Sequence, residues 1–311
     1  MTGPSPLLGI VGPTATGKSD LAMALASRLP IEIIVADSRQ VYRGMDCGTA
    51  KPSVTERGLV PHHLLDVADP HERFTVAQWV ERARELLPEI AGCGRLPMLV
   101  GGTGLYIGSL LDGHRYAPQA WSSEVHSRLT GELERSGLDA MATRLRNIDP
   151  MAAARTDLRN PRRVIRALER LEAGYGGATR ATDPYPGRVA MIGISRPREV
   201  IYGRIDERVR AMFESGGLLD EVRTLLDAGF EASLRPMGGH GYREATRHLA
   251  GEWSLDQAID VTARRTRQYA KRQLTWFRHE PRIMWLPAAD RPGDDPDLVR
   301  DAERLLRAAL S

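Results

Sequence analysis

The sequence predicts an α/β fold with a mainly parallel sheet and an inserted helical subdomain, and three observations carry that prediction. The apolar run Leu7–Val11 passes directly into GPTATGKS (Gly12–Ser19), which a helix-like run Asp20–Leu29 follows. Short runs rich in β-branched and aliphatic residues, Ile31–Asp37 and Leu96–Val100, alternate with helix-period stretches, as buried parallel strands do. Between about His114 and Arg188 strand-like runs vanish and four helical stretches follow one another. At 311 residues the chain is long enough for two domains. The expected division is a core from 1–113 and 189–311 with the insertion at 114–188.

The first loop fits the pattern G-x-x-x-x-G-K-[ST] in its strand–loop–helix setting, which specifies a P-loop NTPase-like core. Gly12 and Gly17 admit backbone angles that other residues resist. The N–H groups of the loop, which also contains Pro13, Thr14, Ala15 and Thr16, then converge on one anion. The helix that follows adds the positive end of its dipole. Lys18 supplies a cation, and the Ser19 hydroxyl is placed to hold a Mg²⁺ that bridges two phosphates. At the level of this motif the ligand is a phosphate compound such as ATP, with its identity open.

Composition is that of an ordinary globular protein, with 42% hydrophobic and 27% charged residues. No apolar run approaches membrane-spanning length. The N-terminus MTGPSPLLGIVG lacks a charged leader region, and Cys47 and Cys93 are too few for a disulfide framework or zinc site. A cytoplasmic monomer is the expectation. Net charge is only +3, yet charge is unevenly spread. Six arginines lie between Arg155 and Arg170 against Asp157 and Glu169, and six basic residues and no acid lie between Arg264 and Arg278. One such cluster fits a solvated helix face equally well; two together favour a polyanion such as nucleic acid.

In chain order, Ile31–Asp37 is the second strand. Its end carries Asp37, Ser38, Arg39 and Gln40, and because strand C-termini in open α/β sheets line the ligand crevice, Asp37 should face the phosphate loop. For Asp37 the residues alone leave three roles open: Mg²⁺ ligand, general base, or helix N-cap. Val41–Pro52 and Pro61–Asp66 read as loops. Adjacent His62 and His63 point opposite ways on a strand and have no third ligand at useful spacing, which favours structural roles. Phe74–Ala91 is a helix. The strand Leu96–Val100 ends in GGTGLY (Gly101–Tyr106), where glycines would admit a ligand close to the backbone and Thr103 would bond a phosphate or orient Asp37.

The insertion reads as helices Glu124–Gly137, Leu138–Ile148, Pro150–Thr156 and Pro161–Ala173, with Gly174–Pro186 as a Gly/Pro-rich return linker. Val189–Ser195 returns as a strand. Val200–Ser215, Leu218–Ala228, Gly238–Gly251 and Leu255–Phe277 are helical. Arg204 and Arg208, four apart, share a helix face and either aim at an anion or pair with acids. Tyr269, Trp276 and Phe277 interleave with the second basic cluster, the last two as core residues. Arg282–Leu286 closes the sheet and the tail is a surface helix.

The segments GPTATGKS (12–19), DSRQVYRGMDCGTAKP (37–52), HHLLD (62–66), GGTGLY (101–106), DPMAAAR (149–155), RRVIRALE (162–169), RIDERV (204–209) and TRQYAKRQLTWFR (266–278) together resemble the tRNA dimethylallyltransferase (isopentenyltransferase) family. That resemblance implies transfer of a dimethylallyl group from dimethylallyl diphosphate to N6 of the adenine 3′ of the tRNA anticodon. It implies a phosphate loop, Gly12 to Ser19, that holds the donor's diphosphate with Mg²⁺. Asp37 matches the catalytic acid residue that takes the N6 proton, Thr103 the residue between that carboxylate and the donor, and Arg208 an arginine on the diphosphate. Asp37, Ser38, Arg39 and Gln40, Thr103, and Arg162, Arg163, Val164, Ile165 and Arg166 match positions that touch tRNA. The insertion matches a subdomain that moves onto the anticodon stem-loop.

Two residues depart from the family pattern: Cys47, where an apolar residue is common, and His240 within GGHGYRE. Two other classes remain on the residues alone. A small-molecule kinase would use the same loop for ATP but leaves the basic helices without a role. An RNA-binding protein with a relict loop would not need Lys18, Ser19, Asp37 and Thr103 intact.

Overall fold

The computed structural model describes residues 4–114, 122–175, 182–215, 217–232, 234, 236–289 and 295–310. The chain divides into two compact units: Met1–Asp112 with Pro184–Ser311, and Gly113–Asp183. Part of the expected return linker, 176–181, lies outside the described residues. Its end, from Pro184, belongs to the first unit, because the Tyr185 hydroxyl donates to the Ser5 carbonyl and the Tyr185 N–H to the Leu111 carbonyl.

The first unit is built on six strands: β1 (Leu7–Val11), β2 (Ile31–Ala36), β3 (His62–His63), β4 (Leu96–Gly101), β5 (Val189–Ser195) and β6 (Ile283–Pro287). They pair in the order β3-β2-β4-β1-β5-β6, and every described pairing is parallel. Parallel pairing requires crossovers, and α1 (Lys18–Ala26), α2 (Val54–Leu59), α3 (Val76–Gly92) and α4 (Gly104–Leu111) supply them in the first half. Capping boxes start two of these helices: Ser53 with Glu56, and Thr75 with Gln78. The four inner strands, β2, β4, β1 and β5, are buried on both faces, so they read as unbroken aliphatic runs. β1 lies at the centre of the order between β4 and β5, and the loop after it therefore opens at the C-terminal edge of the sheet.

The second half of this unit contains α8 (Arg198–Glu214), α9 (Leu218–Asp227), α10 (Tyr242–Leu249), α11 (Leu255–Phe277) and α12 (Pro296–Leu310). Three expectations are corrected here. α10 starts at Tyr242 rather than Gly238, because Gly241 has φ 91°, outside the helical region, and its N–H bonds the Glu244 carboxylate as an N-cap. The tail helix is not a surface helix alone. Leu298, Val299, Ala302 and Leu306 recur on one face and are buried in the core cluster against Ile192 and Ile194 of β5. Trp276 is 39% exposed while Phe277 is fully buried, so only the second of the pair is core.

The second unit consists of α5 (Ser123–Ile148), α6 (Pro150–Ala154) and α7 (Pro161–Glu172). Gly137, at φ 79°, interrupts α5 at the expected break. Asp149 and Asn160 cap the next two helices and a proline takes the first position of each, where no N–H is needed. Leu129, Met141, Leu145, Ala153, Val164, Ile165 and Leu168 form its core. Among the described residues no helix is long and apolar enough to cross a membrane.

Candidate active site

The candidate site lies in the first unit, around a cavity of about 890 Å³ at the C-terminal edge of the sheet. Its walls combine two chemistries. Thr14, Ala15, Gly17, Lys18, Ser19, Arg204 and Arg208 bring N–H groups, hydroxyls and cations, whereas Ile33, Val35, Ala50, Pro52 and Val100 bring apolar surface. Asp37 and Gln40 line the same space. The expectation that Asp37 faces the phosphate loop is therefore met in the geometry.

The loop adopts the backbone its glycines allow, with φ 133° at Gly12 and 92° at Gly17, but Ala15 is also left-handed at φ 63°. A non-glycine residue in that region costs roughly 1–2 kcal/mol, which the surrounding bonds must offset. Those bonds are specific. The Thr16 hydroxyl donates to the Pro13 carbonyl at 3.0 Å, and buried Arg196 donates through Nε to the Thr16 carbonyl at 3.1 Å. Gly12, Pro13 and Thr16 are buried behind the lining residues, so they shape the loop. Gly17 is the N-cap of α1 and provides no side-chain cap, which leaves the helix's first N–H groups for the cavity.

Two cations converge here. Lys18 Nζ donates to the Pro13 carbonyl at 2.5 Å. Burial brings its ammonium down to about 8, with nearby Asp37 opposing the shift and Arg208 adding to it. Arg208 donates through Nη2 to the Thr14 hydroxyl at 2.6 Å, while its Nε is buried without a hydrogen-bond partner. Burial lowers the Arg208 pKa from its usual value, yet a guanidinium stays charged. Of the two readings for Arg204 and Arg208, the structure has both residues line the cavity.

Asp37 is not a helix N-cap. It closes a short turn in which its Oδ1 accepts the Arg39 N–H at 2.8 Å. The Ser38 N–H donates to Thr103 Oγ1 at 3.0 Å, so Thr103 sits behind the Asp37 turn and outside the cavity lining. Gln40 spends its amide hydrogens on the carbonyls of Thr49 and Ala50, both at 3.0 Å, and braces a loop. Arg39 reaches the Pro236 carbonyl at 3.4 Å. His62 bonds the Val60 carbonyl and His63 the Glu32 carboxylate, the structural roles expected of them.

Gly101 and Gly102 line the cavity, as expected of glycines at this strand end, and the glycines of this stretch also admit protein. A Cβ on Gly101 would lie 2.2 Å from the Ala36 carbonyl, on Gly102 2.2 Å from Gln273 Nε2, and on Gly104 2.3 Å from the Trp276 ring. The approach of α11 depends on two of them, Gly102 and Gly104. Gln273, which sequence reasoning missed, accepts the Thr14 N–H at 2.9 Å and donates to the Gly102 carbonyl at 2.9 Å. A signal was present: Gln273 interrupts the buried stripe Ala263, Thr266, Ala270, Phe277 of an amphipathic helix.

The basic clusters are partly neutralised by acids, distant in sequence for α11 and local for α7. On α11, Arg265 pairs with buried Glu244 and Arg267 with Asp206. In the second unit Arg163 lies 3.7 Å from Asp157, and Arg166 pairs at 3.0 Å with Glu169, whose carboxylate also holds His126. Arg162, Arg163 and Arg166 are exposed, but Val164 is fully buried and Ile165 is 6% exposed. The side chains of Val164 and Ile165 are thus core residues of that unit rather than contacts for a ligand, because they form the apolar face of α7. Among the described residues no group of three or more His, Cys, Asp or Glu is arranged to hold a metal.

Comparisons with known proteins agree along the length of the chain. A family model described as IPP transferase matches residues 40–280, and one described as isopentenyl transferase matches residues 6–60. The chain is 45% identical over 304 residues to a tRNA dimethylallyltransferase of Roseiflexus castenholzii, with 97% of each chain covered. It is 45% identical over 303 residues to the tRNA dimethylallyltransferase of Heliobacterium modesticaldum, with 96% and 91% covered. Among solved structures it is similar to a tRNA isopentenylpyrophosphate transferase from Bacillus halodurans, at TM-score 0.73 and 39% identity, covering 98% of this chain and 97% of that one. A eukaryotic dimethylallyltransferase acting on tRNA matches at TM-score 0.73 and 26% identity, covering 92% and 74%.

Proposed function

The chain belongs to the IPP transferase family, and from that premise we infer that it is a tRNA dimethylallyltransferase. In this reading it moves the dimethylallyl group of dimethylallyl diphosphate to the exocyclic N6 of the adenine that follows the anticodon. It works as a monomer in the cytoplasm, where unmodified tRNA is available. The observation that carries the reading is the shared cavity: an anion-binding loop, an apolar wall and a carboxylate, Asp37, face one space. A prenyl diphosphate has the same two halves. A kinase reading gains no support from that apolar wall.

The loop N–H groups, Lys18 and Arg208 hold the diphosphate and neutralise it as it leaves. The unpartnered Nε of Arg208 is a donor suited to a diphosphate oxygen. A metal ion fits this site only as one that takes most of its ligands from diphosphate and water, since Ser19 offers a single exposed hydroxyl. When bound there, Mg²⁺ would supply further neutralisation of the leaving group. As the C1–O bond to diphosphate breaks, N6 forms a bond to C1 and its proton passes to the Asp37 carboxylate. Thr103 acts through the Ser38 N–H to hold that carboxylate's turn in place. The adenine leaves its stack to reach the cavity, which an anticodon loop permits at roughly a few kcal/mol. Exposed Arg162, Arg163 and Arg166 provide a phosphate-binding face on the helical unit.

Purified protein with Mg²⁺, unmodified tRNA and radiolabelled dimethylallyl diphosphate tests the reading, beside a parallel reaction with labelled ATP. Label on tRNA from the prenyl donor alone is the expected result. Phosphoryl transfer from ATP without prenylation would replace it with the kinase reading.

A further inference from the structure

Resting on the prenyl-transfer reading, we propose that Gln273 and Tyr269 of α11 form a positioning clip between the diphosphate loop and the Asp37 turn, holding leaving-group site and proton acceptor at one spacing.

Gln273 is 6% exposed, and its carboxamide spans two segments distant in sequence. Oε1 accepts the Thr14 N–H and Nε2 donates to the Gly102 carbonyl, each at 2.9 Å. An amide N–H only donates and a carbonyl only accepts, so chemistry fixes which way the carboxamide points. Gly102 is shaped for this contact. An added Cβ there would lie 2.2 Å from Gln273 Nε2 and 3.1 Å from the Gly12 carbonyl of the loop. Thr14 is therefore held from two helices at once, through its N–H by Gln273 and through its hydroxyl by Arg208.

One turn earlier on the same helix face, the Tyr269 hydroxyl sits beside the side chains of both Gln273 and Thr103. Thr103 in turn accepts the Ser38 N–H, next to Asp37. The path of hydrogen bonds runs from Thr14 through Gln273 to the Gly102 carbonyl, and the next residue, Thr103, carries it to Ser38, with Tyr269 seated beside both side chains. Neither Gln273 nor Tyr269 supplies or removes a proton in the transfer. Together they fix the distance over which C1 leaves the diphosphate and meets N6, where a misplacement of 1 Å costs up to about 100-fold in rate.

Two variants test the clip. Gln273→Glu keeps size and the acceptor for Thr14. As a carboxylate it cannot donate to Gly102 and it sets a negative charge against a loop that binds an anion; once protonated it does both jobs again. The ratio of variant to wild-type kcat/KM for the donor should therefore rise as pH falls through the new carboxyl's titration. Tyr269→Phe keeps the ring and removes the hydroxyl that the clip places between Gln273 and Thr103, so kcat should fall about 10-fold or more while donor KM and tRNA affinity stay at wild-type values. A pH-independent ratio for Gln273→Glu, or wild-type kcat in Tyr269→Phe, would overturn the proposal. If Gln273→Glu fails to fold by circular dichroism, the Tyr269→Phe split of kcat against KM decides alone. Wild-type protein that prenylates tRNA with both variants equal to it removes the clip and leaves the function standing; wild-type protein that makes no prenylated tRNA removes the function itself.

Discussion

Arg208 on α8 and Thr14 in the phosphate loop are joined by a 2.6 Å hydrogen bond from Nη2 to the threonine hydroxyl, across 194 positions of sequence. That bond fixes one arm of the guanidinium on the loop, while its buried Nε has no hydrogen-bond partner and is the donor proposed for the diphosphate. Arg208→Ala should lower kcat/KM for the donor by about 10²–10³-fold, the usual effect of losing one donor to a developing negative charge. Arg208→Lys should recover little of it, because a point charge lacks the fork that reaches both Thr14 and an anion. Steady-state kinetics with the donor varied at saturating tRNA checks this, and full activity in Arg208→Lys would refute the forked contact.

Lys18 links stability and function through pH. Burial lowers its pKa to about 8, below the 10.5 of the unfolded chain. Between those values the unfolded state binds more protons, so the stability of the free protein rises with pH across that window. Below about 8 the folded state bears the full cost of a desolvated ammonium. Lys18→Met should therefore raise Tm near neutral pH while abolishing donor use, and its Tm advantage should shrink as pH rises from about 8 to 10.5. Thermal melts across that range check the sign; a lower Tm for the variant at neutral pH would contradict it.

Asp37→Asn preserves the Oδ1 acceptor for the Arg39 N–H and removes only the basic function. Turnover should drop by about 10²–10⁴-fold, the range of general-base catalysis, with donor KM and tRNA affinity near wild type. Weakened tRNA binding of comparable size would instead make Asp37 a binding residue.

The arginines of α7 should separate by partner. Arg162→Gln with Arg163→Gln removes exposed charges, so Tm should hold while the slope of log affinity for tRNA against log salt becomes shallower by about 0.7–0.9 for each phosphate that is no longer neutralised. Arg166→Gln should also lower Tm, since it takes a counter-charge from the buried Glu169 carboxylate. Filter binding at several salt concentrations, paired with thermal melts, distinguishes the two behaviours.

Local chemistry made much of this molecule legible in advance. β1, β5 and α11 begin and end where aliphatic runs, caps and helical period place them. The glycines of GPTATGKS, the proline breaks of the helical unit and the position of Asp37 at a strand end follow from backbone sterics and from the handedness of parallel sheets. Those are properties of a residue and its near neighbours. The use of each polar side chain is not. Six basic residues on α11 and its C-terminal end, with no acid among them, read as free charge, yet Glu244 and Asp206 arrive from α10 and α8 to neutralise two. Val164 and Ile165 lie among arginines in sequence but face inward, because a helix turns 100° per residue and one face must be buried. The glycines after β4 are small to admit Ala36, Gln273 and Trp276, contacts between segments far apart in the chain. Strands, phosphate loop and the carboxylate beside it thus follow from residue order alone, since they depend on short-range sterics and periodicity. Which charges are spent on partners, and how α11 grips the loop, follow from the folded arrangement, because hydrogen bonds and close packing between distant segments exist only once the chain has folded.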